Sequence, residues 1–150
     1  MLPTIAWDGD AIVMIDQRKL PGREVYVRCK TGNEVAKAIA AMVIRGAPAI
    51  GVAAAMGLAL GARRSTSSGT KQFAVDFQRL ADALAATRPT AVNLFWAIER
   101  MKQALATGVQ AGEGVTELVT RLRLEADAIH DDDLESCRAI GRHARRGPGA

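Results

Sequence analysis

Aromatic residues are scarce in this sequence: Phe, Trp and Tyr make up only 4% of its 150 residues. Apolar residues nevertheless account for 49%, and 14 residues are glycine. That apolar fraction excludes a disordered chain, and the length suffices for one domain with a hydrophobic core. Because large rings are few, we expect a core of small side chains in which backbones approach each other closely.

Cysteine is also rare, since the chain contains only Cys29 and Cys137. Two widely separated cysteines predict neither a disulfide framework nor a zinc site, and we interpret both as unreactive thiols. His130 and His143 form no metal or triad pattern. The acidic run 131–133 lacks a complementary ligand set, so we interpret it as a solvated helix face and predict no metal.

The sequence also lacks a signal peptide and a convincing membrane span. Residues 1–5 have neither a basic nor an apolar region, which predicts a cytoplasmic protein. The longest apolar run, 47–62, is short and rich in Gly and Ala, which favours a buried helix over a membrane-spanning segment. No membrane partner is predicted. The formal charge of +4 favours anionic ligands, but Lys and Arg are dispersed without aromatic platforms, so nucleic acid is not predicted.

The spacing of apolar residues changes near residue 30. Short runs with turn residues between them over 4–28 predict a small antiparallel meander. Helical spacing follows and predicts about five helices. The fold class is therefore α+β, with a meander over 1–30 and a helical part of the same domain over 31–141. A disordered basic tail is predicted over 142–150, because it has no core-forming residue.

Several helix boundaries follow from local sequence. Thr31 and Glu34 have the spacing of a capping box. Helices are predicted over 48–62, over 89–105, and from 115 to about 141, the first of them buried because it is apolar all round. The large apolar residues expected on inner helix faces are Val35, Ile39, Met42, Val43, Phe73, Phe77, Leu80, Leu84, Phe95, Ile98, Met101 and Leu105.

Two of these helix starts suit the binding of an anion. Arg45-Gly46-Ala47 precedes Pro48, and proline is favoured at the first helical position. The N–H groups at a helix start lack internal partners and carry the positive end of the helix dipole. Gly46 would let a ligand approach the main chain, and Arg45 would add a planar fork of donors.

Arg88-Pro89 repeats this arrangement before the next helix, where Thr90 and Asn93 add polar groups. Either start alone is more often an ordinary N-terminus or a surface arginine than a binding site. Together they predict one anion site if they face each other, which the sequence leaves open. Asp16 and Gln17 are candidates to support that site from the sheet, but the roles of both residues and of Asn93 stay unassigned.

These segments resemble a known family. Residues 45–55 resemble the RGAPAIG segment of methylthioribose-1-phosphate isomerases, and residues 87–94 resemble their TRPTAVNL segment. The opening is also similar, and the likeness runs from about residue 4 to residue 143, after which a truncated or frame-shifted ending is expected. The opening residues that carry the likeness are Ile5, Trp7, Asp16, Gln17, Leu20 and Pro21.

The resemblance implies an isomerase of methionine salvage that converts 5-methylthioribose 1-phosphate to 5-methylthioribulose 1-phosphate without a cofactor. It implies that Arg45, Gly46, Ala47 and Arg88 bind this sugar phosphate. It also implies a homodimer with a Rossmann-like C-terminal domain, whose catalytic Cys and Asp would lie beyond residue 150. We therefore expect no catalytic residue in this chain, and no turnover by it alone.

Proteins with two other functions share the RGAPAIG segment. One is that of a non-catalytic regulatory or binding module, as in the regulatory subunits of the translation-initiation exchange factor 2B. The other is ribose-1,5-bisphosphate isomerisation. The second segment, 87–94, favours the methionine-salvage enzyme over both.

Overall fold

The structure, a computed structural model, describes the backbone of residues 4–146 and the side chains of residues 4–134. It contains a three-stranded antiparallel sheet followed by five helices, which confirms the α+β class. The strands are β1 (Ile5–Asp8), β2 (Ala11–Ile15) and β3 (Tyr26–Cys29), in that order across the sheet. The predicted meander is therefore confirmed, and a short 3-10 helix, Gln17–Lys19, follows β2.

One face of the sheet packs on the helices. Ile5 pairs with Met14 and Ile12 pairs with Cys29, so the alternation along the strands turns all four toward the core. All four are buried. Burial raises the pKa of the Cys29 thiol to about 11, which keeps it protonated at neutral pH and supports its interpretation as unreactive.

Four of the five helices surround the fifth, which is α2. Their bounds are α1 Gly32–Ala40, α2 Ala47–Arg64, α3 Thr70–Ala85, α4 Val92–Gln110 and α5 Val115–Arg146. Helix α2 contacts every other helix and also β2. Residues 50–60 of α2 are all buried, which confirms the prediction of a buried helix. Within the described part of the chain, no helix is both long and apolar enough to cross a membrane.

Helix α1 begins as predicted but ends earlier than its apolar pattern suggested. The Thr31 hydroxyl accepts a hydrogen bond from the Glu34 N–H at 3.1 Å, which confirms the cap. At the other end, Met42 has a left-handed φ of 64°. The Met42 and Val43 N–H groups donate to the carbonyls of Ile39 and Ala38, the two bonds of a Schellman motif. Placing Met42 on the inner face was therefore wrong, because it lies in the turn and is exposed.

The start of α4 also differs from the prediction. Pro89 does not open the helix, because residues 88–91 form a turn in which the Ala91 N–H donates to the Arg88 carbonyl at 3.0 Å. The helix begins at Val92 instead. Phe95 was wrongly placed on the inner face, since Leu94 and Ile98 fill that face and Phe95 is 42% exposed.

Helix α2 begins at Ala47, one residue before Pro48, and α5 continues to Arg146. The backbone of residues 142–146 is helical as part of α5, whereas a disordered tail was predicted over 142–150. For residues 147–150, which lie outside the described residues, the tail stays a prediction. The interpretations of Cys137 and His143 likewise concern side chains outside the described part.

Candidate functional site

The first predicted binding segment, 45–47, lies at the exposed start of α2. Gly46 is the residue before the helix and has a φ of 95°, a conformation that side-chain-bearing residues rarely adopt. No side chain caps this helix start. The N–H groups of its first turn therefore have no partner in the helix and carry the positive end of its dipole toward the surface.

Gln17 holds this segment from the sheet side. Its side-chain Oε1 accepts a hydrogen bond from the Arg45 N–H at 2.8 Å, and its carbonyl accepts one from Arg45 Nη2 at 3.3 Å. The Gln17 N–H donates to the Val43 carbonyl at 2.8 Å. One residue thus contacts both the main chain and the guanidinium of Arg45, a role that the sequence had left unassigned.

Gln17 is in turn held by the buried carboxylate of its neighbour. Asp16 accepts hydrogen bonds from the Arg18 N–H, Nε and Nη2 at 2.8–3.0 Å, and it caps the 3-10 helix that carries Gln17. The hydrogen bonds from Arg18 lower the pKa of Asp16 below its ordinary value despite the opposing effect of burial. The Asp16 N–H also donates to the Val25 carbonyl at 2.7 Å.

The second predicted segment contains Arg88, in the turn before α4. Arg88 is half-buried, and its Nη1 is a buried donor without a hydrogen-bond partner among the described residues. Helix α4, like α2, has no capping side chain at its start, and Asn93 lies in its first turn. A buried guanidinium donor without a partner is costly, and an anion is the ligand that would satisfy it.

A contact between Gly51 and Asn93 brings the two helix starts together. A Cβ added at Gly51 would lie 2.9 Å from the Asn93 carbonyl oxygen and 3.6 Å from Ala97 Cβ. Helices α2 and α4 therefore pack backbone against backbone near their N-terminal ends. The segments 45–47 and 88–91 therefore lie at the same end of the helical bundle. That they bind one anion together stays a prediction.

A cavity of about 340 Å³ opens beside this contact. Its lining is mostly apolar and comes from α2, α4 and α5: Pro48, Gly51, Val52, Asn93, Trp96, Ile129, Asp132 and Asp133. Such a volume lies at the small end of the range for ligand pockets. The sequence identified neither Trp96 nor Ile129 with the site, although Trp96 follows Asn93 at the spacing that places two residues on one helix face.

The acidic residues at the cavity are partly neutralised. Asp132 Oδ2 lies 3.2 Å from Arg100 Nη1, and Arg100 Nε also pairs with Glu125 at 2.6 Å. The Arg100 guanidinium lies 5.5 Å from the centre of the Trp96 ring. Asp132 was interpreted as part of a solvated face; it is exposed but also lines the cavity. Among the side chains of residues 4–134, no group of three or more His, Cys, Asp or Glu could hold a metal.

Comparison with known proteins gives one family and close relatives. The sequence pattern of the Initiation factor 2 subunit family matches residues 43–147. A methylthioribose-1-phosphate isomerase from Geobacter metallireducens is 52% identical over 140 residues, covering 93% of this chain and 40% of that protein. One from Thermosipho melanesiensis is 49% identical, covering 93% and 39%. The chain thus spans about 40% of the length of these relatives.

Two solved structures share the fold. The 5-methylthioribose 1-phosphate isomerase from Pyrococcus horikoshii OT3 has a TM-score of 0.83 at 39% identity, over 89% of this chain and 37% of its own. The translation initiation factor eIF-2B, subunit delta, from A. fulgidus has a TM-score of 0.81 at 39% identity, over 90% and 38%.

Proposed function

Because the chain belongs to the Initiation factor 2 subunit family, we propose that it forms the substrate-binding portion of a sugar-phosphate isomerase. The reaction of the whole enzyme is the conversion of 5-methylthioribose 1-phosphate to 5-methylthioribulose 1-phosphate. The observation that carries this proposal is the pairing of the two uncapped helix starts, with 45–47 and Arg88 at one end of the bundle. Relatives named as methylthioribose-1-phosphate isomerases are about half identical to the chain.

The proposed site divides the substrate by polarity. The phosphate is held by the Arg45 and Arg88 guanidinium groups and by the N–H groups at the start of α2, which are the donors that suit a dianion. The uncharged part of the sugar extends toward the mostly apolar cavity beside Gly51 and Trp96. Asn93 supplies a polar group at the boundary between the two regions.

The chain by itself is proposed to bind without turnover. Aldose–ketose isomerisation moves a proton between neighbouring carbons and needs a positioned acid or base. Cys29, the cysteine whose side chain is described, is buried with a raised pKa and lies in the sheet, so it offers no such group. The catalytic Cys and Asp are assigned to the part of the relatives that this chain does not span. Ketose formation by the purified chain would contradict this assignment.

The binding proposal is tested by isothermal titration of the chain with 5-methylthioribose 1-phosphate. We expect saturable binding that Arg88→Ala weakens by about tenfold or more, because a charge-assisted hydrogen bond contributes ~1.5–3 kcal/mol. Arg79→Ala is the matched control, since Arg79 is an exposed arginine on α3 away from both helix starts. Equal affinity for the Arg88 and Arg79 variants would contradict the proposed site.

A second candidate function is that of a non-catalytic binding module. The fold similarity to the A. fulgidus initiation-factor structure favours it, because that likeness is nearly as close as the one to the isomerase. This alternative predicts that the chain binds neither 5-methylthioribose 1-phosphate nor ribose 1,5-bisphosphate. Preference for the bisphosphate in the same titration would instead favour the sibling isomerase.

The cellular location, the oligomeric state and the partners of the full-length enzyme are proposed on the same resemblance. The full-length form is a cytoplasmic homodimer that binds neither nucleic acid nor membrane. Light scattering of a full-length version, with and without added RNA, tests the dimer and the absence of a nucleic-acid partner together.

A further inference from the structure

We propose that Gln17 is a positioning residue that orients Arg45 toward the bound anion. This inference rests on the proposed function and adds to it a residue from outside the two arginine segments. Gln17 lies on the 3-10 helix after β2, 28 positions before Arg45, and contacts it twice. It acts through Arg45 and contacts the substrate at no point in the proposal.

The two contacts restrain different parts of Arg45. The bond from the Arg45 N–H to Gln17 Oε1, at 2.8 Å, restrains the main chain just before Gly46. The bond from Arg45 Nη2 to the Gln17 carbonyl, at 3.3 Å, restrains the far end of the side chain. An exposed arginine otherwise samples many rotamers and loses that freedom when it binds a ligand. Holding it beforehand increases affinity without adding a contact to the ligand.

The restraint depends on a rigid support. Gln17 itself donates from its N–H to the Val43 carbonyl, so the segment 43–45 and Gln17 hold each other. Asp16 caps the 3-10 helix and pairs with Arg18 at 2.8 Å, and its own N–H donates to the Val25 carbonyl just before β3. The Arg45 guanidinium is therefore restrained by a segment that is itself fixed to β2, to the 3-10 helix and to the start of α2.

The chemistry of glutamine suits this role better than a charged residue would. Its neutral amide oxygen accepts the Arg45 N–H without neutralising the guanidinium, which keeps its full charge for the anion. Both acceptors for Arg45 in this contact, the amide oxygen and the carbonyl, are uncharged. A carboxylate at the same place would compete with the phosphate for the arginine.

The test is a double-mutant cycle on the affinity for 5-methylthioribose 1-phosphate, with Gln17→Ala, Arg45→Ala and the double variant. We expect Gln17→Ala to weaken binding about fivefold to tenfold, the effect of one lost hydrogen bond. In the Arg45→Ala background the same change should weaken binding clearly less, because the guanidinium that Gln17 orients is gone and only the bond to the main-chain N–H of residue 45 is lost. Gln110→Ala, at the far end of α4, is the matched control and should bind like the unmodified chain.

Each outcome decides between a positioning and a merely structural role. An equal loss from Gln17→Ala in both backgrounds, or no loss in either, would overturn the proposal while the binding function stands. If the unmodified chain binds no substrate, the proposed function fails instead. The positioning is then measured without ligand, as the NMR order parameter of the Arg45 Nε–H group. A value unchanged by Gln17→Ala would overturn the inference, and a clear decrease would support it.

Discussion

At the scale of single residues, the support of the site depends on one buried carboxylate. Asp16 is only 2% exposed, yet it is charged because Arg18 donates to it three times. A buried charge is tolerated when it is paired and hydrogen-bonded, and it becomes costly when its partner or its charge is removed. The Asp16–Arg18 pair therefore couples the loss of stability in acid to the position of Gln17 on the 3-10 helix.

This pair predicts a specific loss of stability in acid. The lowered pKa of Asp16 means that the folded state binds its proton less readily than the unfolded state. Its contribution is fully present above the ordinary aspartate pKa of about 3.9 and is lost as the pH falls through the lower folded-state value. We expect Asp16→Asn to lower the melting temperature at pH 7 and to flatten its fall below about pH 4. Thermal unfolding from pH 7 to pH 3 measures both.

The exposed Asp131 provides the control for this experiment, because Asp131→Asn removes one carboxylate without touching the Arg18 pair. Its curve should run parallel to that of the unmodified chain. A parallel curve for Asp16→Asn as well would show that the pair contributes nothing to the acid response.

At the scale of elements, the site depends on the close approach of α2 and α4. Small residues permit this approach, in agreement with the scarcity of rings in the sequence. The Gly51 position faces main chain, the Asn93 carbonyl, whereas the Gly61 position on the same helix faces the flexible end of the Leu80 side chain. The two glycines therefore make a matched pair within one helix.

We predict that Gly51→Ala destabilises the fold by about 1–3 kcal/mol, because a main-chain neighbour cannot move aside without separating the helices. The same change should weaken binding of 5-methylthioribose 1-phosphate. Gly61→Ala should stay within about 1 kcal/mol of the unmodified chain, since the gain in helix propensity offsets the repacking of Leu80. Urea unfolding midpoints measure the difference, and equal midpoints for the two variants would refute the backbone contact.

At the scale of the whole molecule, the sheet is joined to the last helix by a contact between distant residues. Trp7 Nε1 donates to Asp127 Oδ1 at 3.0 Å, across 120 residues of sequence. Arg123 pairs with the same carboxylate at 3.2 Å and lies 3.8 Å from the centre of the Trp7 ring. This cluster connects β1 to α5, so it helps to hold the sheet that carries Gln17 against the helical bundle.

We expect Asp127→Ala to destabilise the chain by about 1–2 kcal/mol, because it leaves the half-buried Trp7 N–H without its partner. Asp127→Asn should cost less than about 1 kcal/mol, since its amide oxygen still accepts from Trp7 and the exposed pair with Arg123 contributes little. Chemical unfolding followed by circular dichroism compares the two. Equal losses would assign the effect to the charge of Asp127 and not to its hydrogen bond.

Errors in the predicted elements occurred where the chain reverses direction. Pro89 is a good first helical residue by local preference, but the turn closed by Arg88 and Ala91 delays the helix to Val92. Met42 continues an apolar period, yet a Schellman motif turns it outward. In both cases hydrogen bonds formed by the turn outweigh a propensity that is a weak guide at helix ends.

The sequence by itself determined the features that depend on near neighbours: the meander, the Thr31 cap, the buried α2 and the two arginine segments before helix starts. Their causes are periodicity and capping, which act over a few residues. Only the tertiary structure decided that the two helix starts meet at Gly51 and Asn93, and that Gln17 contacts Arg45. Those contacts join residues 28 or more positions apart, and such pairings depend on how whole elements pack.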